Sequence, residues 1–322
     1  MGSSFGLPII FGVIYLAYTT GYISTSYDLI EAINDLLLSV GWKSVVSDTT
    51  TYSGATRLCH GIWEGEGDGN DKIYIQAKIY DDDPKSIAID SMAGFDPLLY
   101  YFEQPGSLQQ WLKSDGETKV NQPCISVLEN ELMYYWLFAD SYRLIGVYRM
   151  SIQYESFYVG FLNPIASERQ YPYPMYVCGD ASLLGDKWPS NPSGSFVFPY
   201  QKSGFVRRVD GTWREFVTKP LEPDPYSAGT VFPYNTHNKK LIPNYKGKSD
   251  SSVIQDNFLM LPIILQTTDP IDMLGLLRGV YWVSGTRDLA AEQTFECEGV
   301  SYIAFDTKQY RDNNSYFCIK ME

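Results

Sequence analysis

The chain holds two histidines, His60 and His237, and five cysteines, Cys59, Cys124, Cys178, Cys297 and Cys318, and these counts bound the chemistry open to it. Two imidazoles cannot build a site that takes three ligands from histidine. The cysteines are odd in number and widely spaced, so they supply neither a CxxC metal knuckle nor a dense disulfide framework. They read as free thiols, buried as small hydrophobes. Neither histidine lies in a recognisable catalytic elbow. Carboxylates are more plentiful: Glu64, Glu66, Asp68 and the run Asp81 to Asp83 are the raw material of a two-carboxylate glycosidase. They sit in glycine-rich or proline-bounded stretches, where carboxylates are usually solvated, so hydrolysis is the least favoured reading. The segment from Glu64 to Asp71 lacks the ligand spacing and closing glutamate of an EF-hand. It also lacks the Lys-Ser/Thr ending of a phosphate loop. The expectation is no catalytic residue, no metal and no cofactor.

The elements that must position any other activity are rich in aromatics. Among 322 residues, 44% are hydrophobic and 20% charged, and Tyr at 26 outnumbers Trp at 7 and Phe at 16 together. Such a composition excludes disordered, collagenous and coiled-coil chains. With 25 basic against 38 acidic residues the net charge is −13, which opposes binding to nucleic acid and anionic lipid. The apolar run from Phe5 to Tyr18 is short for a bilayer span, has no preceding Lys or Arg, and is interrupted by Gly6, Pro8 and Gly12. It reads as an arm buried against protein, with no membrane insertion. Phe5, Ile9, Phe11 and Tyr15 are its candidate interface residues.

Four segments follow: an apolar arm over 1–25, a scaffold of one helix and an antiparallel sheet over 26–183, a Pro/Gly-rich peripheral excursion over 184–255, and a β segment over 256–322 that packs with the scaffold. Ser26 is placed to cap a helix in which Leu29, Ile30, Ile33, Leu36, Leu37 and Val40 recur at spacings of three and four, stopping at Gly41. Thr49, Thr50, Thr51, Ser53 and Gly54 read as a loop, as do Gly65, Gly67 and Gly69. Lys72 to Tyr80 and Ser86 to Asp90 alternate with period two. Leu132 to Phe138, Arg143 to Arg149 and Glu155 to Leu162 are three strands joined by short links, an antiparallel meander. Within the excursion, Phe205 to Phe216 reads as a hairpin turning at Asp210-Gly211, and Arg207, Arg208 and Trp213 are candidate interface residues. Leu29, Ile33, Leu37, Trp136, Phe138, Val147, Phe157, Phe161 and Trp282 are candidate core. The fold class is α+β, predominantly antiparallel β, with one N-terminal amphipathic helix packed on a sheet and a loop-rich β excursion.

The meander also carries a resemblance. The runs from Tyr134 to Arg149 (YYWLFADSYRLIGVYR), Tyr154 to Pro164 (YESFYVGFLNP) and Tyr171 to Tyr176 (YPYPMY) are similar, in order, to structural proteins of the tail modules of tailed bacteriophages and prophages. Gly41-Trp42, Asp71 to Tyr74 and Gln104 to Gly106 match upstream, and Leu277 to Gly285, Glu292 to Thr294 and Tyr302 to Phe305 downstream. The resemblance spans about 22–180 and 258–322. It departs at Asp140 to Arg143, where the family has Asn-Gly-Arg-Arg, and between about 185 and 255. It implies a non-enzymatic structural component of the virion tail, in the neck, tube end or baseplate. Such a protein is made in the host bacterial cytoplasm. Its partners would be copies of itself in a symmetric ring or shell, and other tail proteins. The second reading is a carbohydrate- or receptor-binding module on the same particle, with exposed Tyr and Trp of the 185–255 stretch stacking on sugars.

Overall fold

The computed structural model describes residues 16–68, 71–80, 83–100, 103–108, 122–128, 130–165, 174–181, 195–197, 199, 203–216, 230–232, 260–268, 271–284, 289–306 and 315–321. Strand β1 (Ala17–Ile23) leads into helix α1 (Ser26–Ser39). Thr25, not Ser26, caps the helix: its hydroxyl accepts from the Asp28 N–H at 3.1 Å, and the Asp28 carboxylate returns to the Thr25 N–H at 3.0 Å. Ser26 lies inside the first turn and is fully buried, so its hydroxyl is not at the cap position. The carboxylate also complements the positive helix end. Gly41, at φ +91°, follows the last turn in a conformation that favours glycine.

Five strands then form one antiparallel sheet, in the order β2 (Lys43–Tyr52), β3 (Ala55–Asp68), β4 (Asp71–Tyr80), β5 (Asp83–Met92) and β6 (Cys124–Ser126). The threonines expected in a loop are paired strand residues, with Thr49 opposite Leu58, Thr50 opposite Arg57 and Thr51 opposite Thr56. Their β-branched side chains suit an exposed edge strand, which needs no apolar alternation. Only Ser53 and Gly54 turn, both with positive φ, as a two-residue hairpin requires. Gly65 and Gly67 likewise belong to β3. The first makes room for an indole, because a Cβ there would stand 2.8 Å from the Trp42 ring.

The meander, β7 (Met133–Asp140), β8 (Arg143–Met150) and β9 (Gln153–Phe161), lies in a seven-stranded antiparallel sheet. Its order is β1-β7-β8-β9, then β10 (Met175–Cys178), β11 (Gly204–Arg207) and β12 (Trp213–Glu215). Residues 203–216, expected in a peripheral excursion, thus complete the central sheet, and Phe205 and Phe216 are buried there. Most of the remaining excursion lies outside the described residues. The third sheet runs β13 (Thr230–Phe232), β14 (Met260–Thr268), β15 (Ile271–Ser284), β18 (Ser315–Lys320), β17 (Val300–Asp306) and β16 (Thr294–Cys297).

Alternation in the central sheet sends side chains to two cores. Leu137, Leu144, Phe157, Val159, Phe161 and Val177 share one buried cluster with Leu29, Ile33 and Leu37 of α1 and with Trp63, Ile75 and Ile89 of the five-stranded sheet. Trp136, Phe138, Ile145, Val147, Tyr158 and Tyr176 share the other with Val280, Trp282, Ile303, Phe305 and Phe317 of the six-stranded sheet. The central sheet is therefore covered on both faces, which an antiparallel sheet with one wet face is not. All five cysteines are free thiols, and Cys124, Cys178 and Cys318 are buried. No helix among the described residues is long and apolar enough to cross a membrane.

The three sheets meet at the β7–β8 turn. Asp140 accepts from Arg143 Nε at 3.0 Å and from the Tyr142 N–H at 2.8 Å, while its carbonyl accepts from the Trp42 indole at 2.7 Å. The Ser141 carbonyl accepts from Gly67 of β3 at 3.2 Å. From β15, the Arg278 guanidinium lies 3.7 Å from the centre of the Tyr142 ring, and a Cβ at Gly279 would come within 2.6 Å of Arg143 Nη2. Arg143 is only 2% exposed. Replacing it with methionine leaves the Asp140 carboxylate buried without its cation and is expected to cost about 3–5 kcal/mol in urea unfolding. The double variant Asp140→Asn/Arg143→Met is expected to recover part of that loss. Equal stability of Arg143→Met and the wild type would remove the pair from this structural role.

Candidate functional site

Several groups able to exchange protons among the described residues are tied into the scaffold. His60 Nδ1 lies 2.9 Å from Asp48, and burial, reinforced by Lys78, lowers the imidazole pKa although Asp48 opposes the shift. Glu64 accepts from Lys72 and from the Tyr74 hydroxyl, both at 2.8 Å. Those bonds, the Lys72 one foremost, hold its carboxylate below the usual range. Among the described residues no three of His, Cys, Asp and Glu gather as a metal would require.

Among the described residues, Asp180 is a strongly perturbed carboxylate. It follows β10, and its oxygens accept from the Ser126 N–H of β6 at 2.9 and 3.2 Å and from the Tyr148 hydroxyl of β8. Backbone bonds continue the link, with the Asp180 N–H donating to Cys124 at 3.0 Å and the Cys124 N–H to Ala181 at 3.0 Å. Part of the residue meets solvent, but the enclosed carboxylate sets the proton affinity. Burial pushes its pKa up to about 7, against the hydrogen bonds from Tyr148 and Ser126. The Tyr148 phenol is pushed well above its ordinary value by burial, with Asp180 and Glu155 adding to the effect. A carboxylic acid titrating near neutrality beside a phenol is general acid–base material. Here both oxygens are engaged in joining the five-stranded sheet to the central one.

The expected interface residues separate. Phe5, Ile9, Phe11 and Tyr15 lie outside the described residues. Trp213 is 3% exposed and donates its indole N–H to the Gly106 carbonyl at 2.9 Å, so it is a core residue rather than a presented one. It faces inward because β12 is the last strand of a two-faced sheet. Arg207 and Arg208 are half-buried at the same hairpin. The expected core residues are all buried, from fully enclosed Leu29 and Phe138 to Trp282 at 6% exposure.

What the structure presents instead is the loop after β5. Gln104 is 1% exposed, and its amide accepts from the Asp96 N–H at 2.8 Å and donates to the Asp96 and Leu99 carbonyls at 3.0 Å. The Pro105 carbonyl accepts from the Ala93 and Gly94 N–H groups at 3.0 and 3.2 Å. Phe95 stacks on Tyr74 at 6.3 Å. A buried glutamine thus does what a backbone ladder does in a strand, and the held loop turns Leu98 to solvent at 91% exposure and Tyr100 at 71%. Pro97 and Pro105-Gly106 mark this loop in the sequence, but the apolar residues between them resemble core until the glutamine is placed. Leu132 and Ile152, at 66% and 78%, are exposed beside the β7 and β8 ends.

Asp180 gives a test of pH dependence. Because its folded pKa is raised above the ordinary 3.8, the folded chain keeps a proton that the unfolded chain has released. Its stabilisation is complete below the ordinary value and lost as pH rises through about 7. Asp180→Asn is therefore expected to flatten the fall in Tm between about pH 4 and about pH 7, read by calorimetry. Parallel profiles for the two proteins would assign the titration elsewhere.

No family model matches the chain, and no curated protein is significantly similar to it, so the functional reading rests on the geometry and the residues alone.

Proposed function

We propose that the chain is a non-enzymatic structural component of a bacteriophage virion tail, in the neck, tube end or baseplate, acting through contacts with copies of itself and other tail proteins. The observation that supports this is the stapled loop with Leu98 and Tyr100 turned outward. Apolar groups fixed in water are unfavourable for an isolated chain, whereas a rigid exposed cluster suits a protein interface, since little conformational freedom is lost on contact. In this reading the helix packed on a sheet is the common scaffold, and the Pro/Gly-rich sequence outside the central sheet carries contacts peculiar to the particle. The net charge of −13 fits protein partners better than nucleic acid or anionic lipid.

Particle incorporation tests it. A phage encoding Leu98→Asp with Tyr100→Ser is expected to yield particles depleted of this chain several-fold, while the purified variant keeps its cooperative melt, both positions being exposed. Incorporation at the wild-type level would count against the loop as a contact. Absence of the wild-type chain from purified virions would reject the reading altogether.

A further inference from the structure

Edge strands of a sheet offer their outward backbone groups to any other strand, and proteins blunt them by shortness, charge, proline or bulges. Most edges here are protected in that way. In the five-stranded sheet, β6 has three residues, while β2 carries Lys43 and Asp48 and shifts register twice against β3. In the six-stranded sheet, β13 has three residues and β16 includes Glu296. In the central sheet, β12 has three residues, two of them Arg214 and Glu215. Strand β1 is different. It is seven residues long (AYTTGYI), carries no charge and no proline, and runs against β7 without a register shift. Among the described residues no strand lies on its other side.

Its sequence can also meet its own copy in antiparallel register. Reversed about Thr20, it sets Tyr18 opposite Tyr22, Thr19 opposite Gly21, Ala17 opposite Ile23, and Thr20 opposite itself. Aromatic pairs and threonine pairs are among the favourable cross-strand combinations, and a small residue meets a larger one at the other two positions. Tyr18 and Tyr22 are 46% and 64% exposed, yet each is already placed, by a stack on Phe138 at 6.0 Å and an edge contact with Tyr134 at 4.8 Å. A chain with net charge −13 repels its copy, so association is least opposed where the meeting strands are uncharged; the first charged residue of the sequence is Asp28, which Arg57 pairs at 2.6 Å.

We infer that β1 pairs with β1 of a second copy in an antiparallel two-fold contact centred on Thr20, joining two seven-stranded sheets into one. The contact is isologous and closes on itself, so it makes pairs, and a larger ring would use a further surface. It names one partner and one strand for the assembly reading, on which its biological setting rests.

The test uses the purified full-length protein. Sedimentation is expected to show a dimer, and Thr20→Lys, which brings two ammonium groups together on the two-fold axis, is expected to raise its dissociation constant by about tenfold or more while the variant keeps a cooperative melt. Thr20→Cys is expected to give a disulfide-linked dimer under mild oxidation that the wild-type thiols do not give, because directly opposed strand residues have Cα atoms roughly 4.5–5.5 Å apart, within disulfide reach. A monomeric wild type overturns the inference. So does a monomer that dimerises only after residues 2–15 are deleted, which would assign the edge to the chain's own arm. A dimer indifferent to Thr20→Lys also overturns it, while leaving the assembly reading to other surfaces. Failure of the virion reading is read separately, from particle incorporation.

Discussion

The arrangement of three sheets depends on one buried ion pair in one tight turn. Asp140 and Arg143 face each other across the β7–β8 reversal, and their neighbours come from every layer: Trp42 and Gly67 from the five-stranded side, Phe161 within the central sheet, Arg278 and Gly279 from the six-stranded side. A buried guanidinium needs a countercharge, which Asp140 supplies to Arg143 Nε at 3.0 Å, so the turn fixes where the flanking layers can sit. Apolar packing alone is less selective, because two apolar faces can slide against each other at little cost. The polar joint sets the register that the cores then fill.

Those cores follow from the double burial of the central sheet. With both faces covered, β7 and β9 need large apolar side chains at successive positions, and the strands obtain them from tyrosines whose hydroxyls find acceptors. Tyr158 donates to the Phe161 carbonyl at 2.6 Å and Tyr176 to the Phe196 carbonyl at 2.8 Å. The tyrosine excess of the composition is in part a solution to thickness: long rings fill two interlayer spaces while their polar ends are satisfied. Gly146 shows how tightly the spaces are filled, since a Cβ there would stand 2.0 Å from the Phe157 ring that crosses it.

Much of this is legible in the sequence alone. The helix from its three- and four-residue spacing, the meander from its aromatic runs and the hairpin at Asp210-Gly211 all follow from periodicity and turn chemistry, which act over a few residues. The features that were not legible depend on partners distant in sequence. Whether Thr49 to Thr51 form loop or strand depends on Arg57 and Leu58 being beside them. Gly65 reads as a loop residue until Trp42 is known to need its space. Trp213 reads as an interface residue until the sheet is seen to extend to β12. The exposed loop was hidden for the same reason, because Gln104 has no local pattern that marks it as a staple. The proposed virion setting rests on a resemblance of short strings in the sequence, and no contact in the fold states it.

The order of the layers along the chain has a consequence for biosynthesis. The central strands β7 to β12 leave the ribosome well before β14 to β18, which supply one of their two covers. Until then Trp136, Phe138, Tyr176 and their neighbours form a finished sheet with one face in water, a species prone to sticking to its own kind. Strand β1 waits in a similar way for β7, more than a hundred residues downstream, so early collapse cannot complete the central sheet from its first edge. A cell making many copies at once would therefore hold a population of half-covered nascent chains. Chaperone supply, more than final stability, would then limit the yield of correctly folded protein.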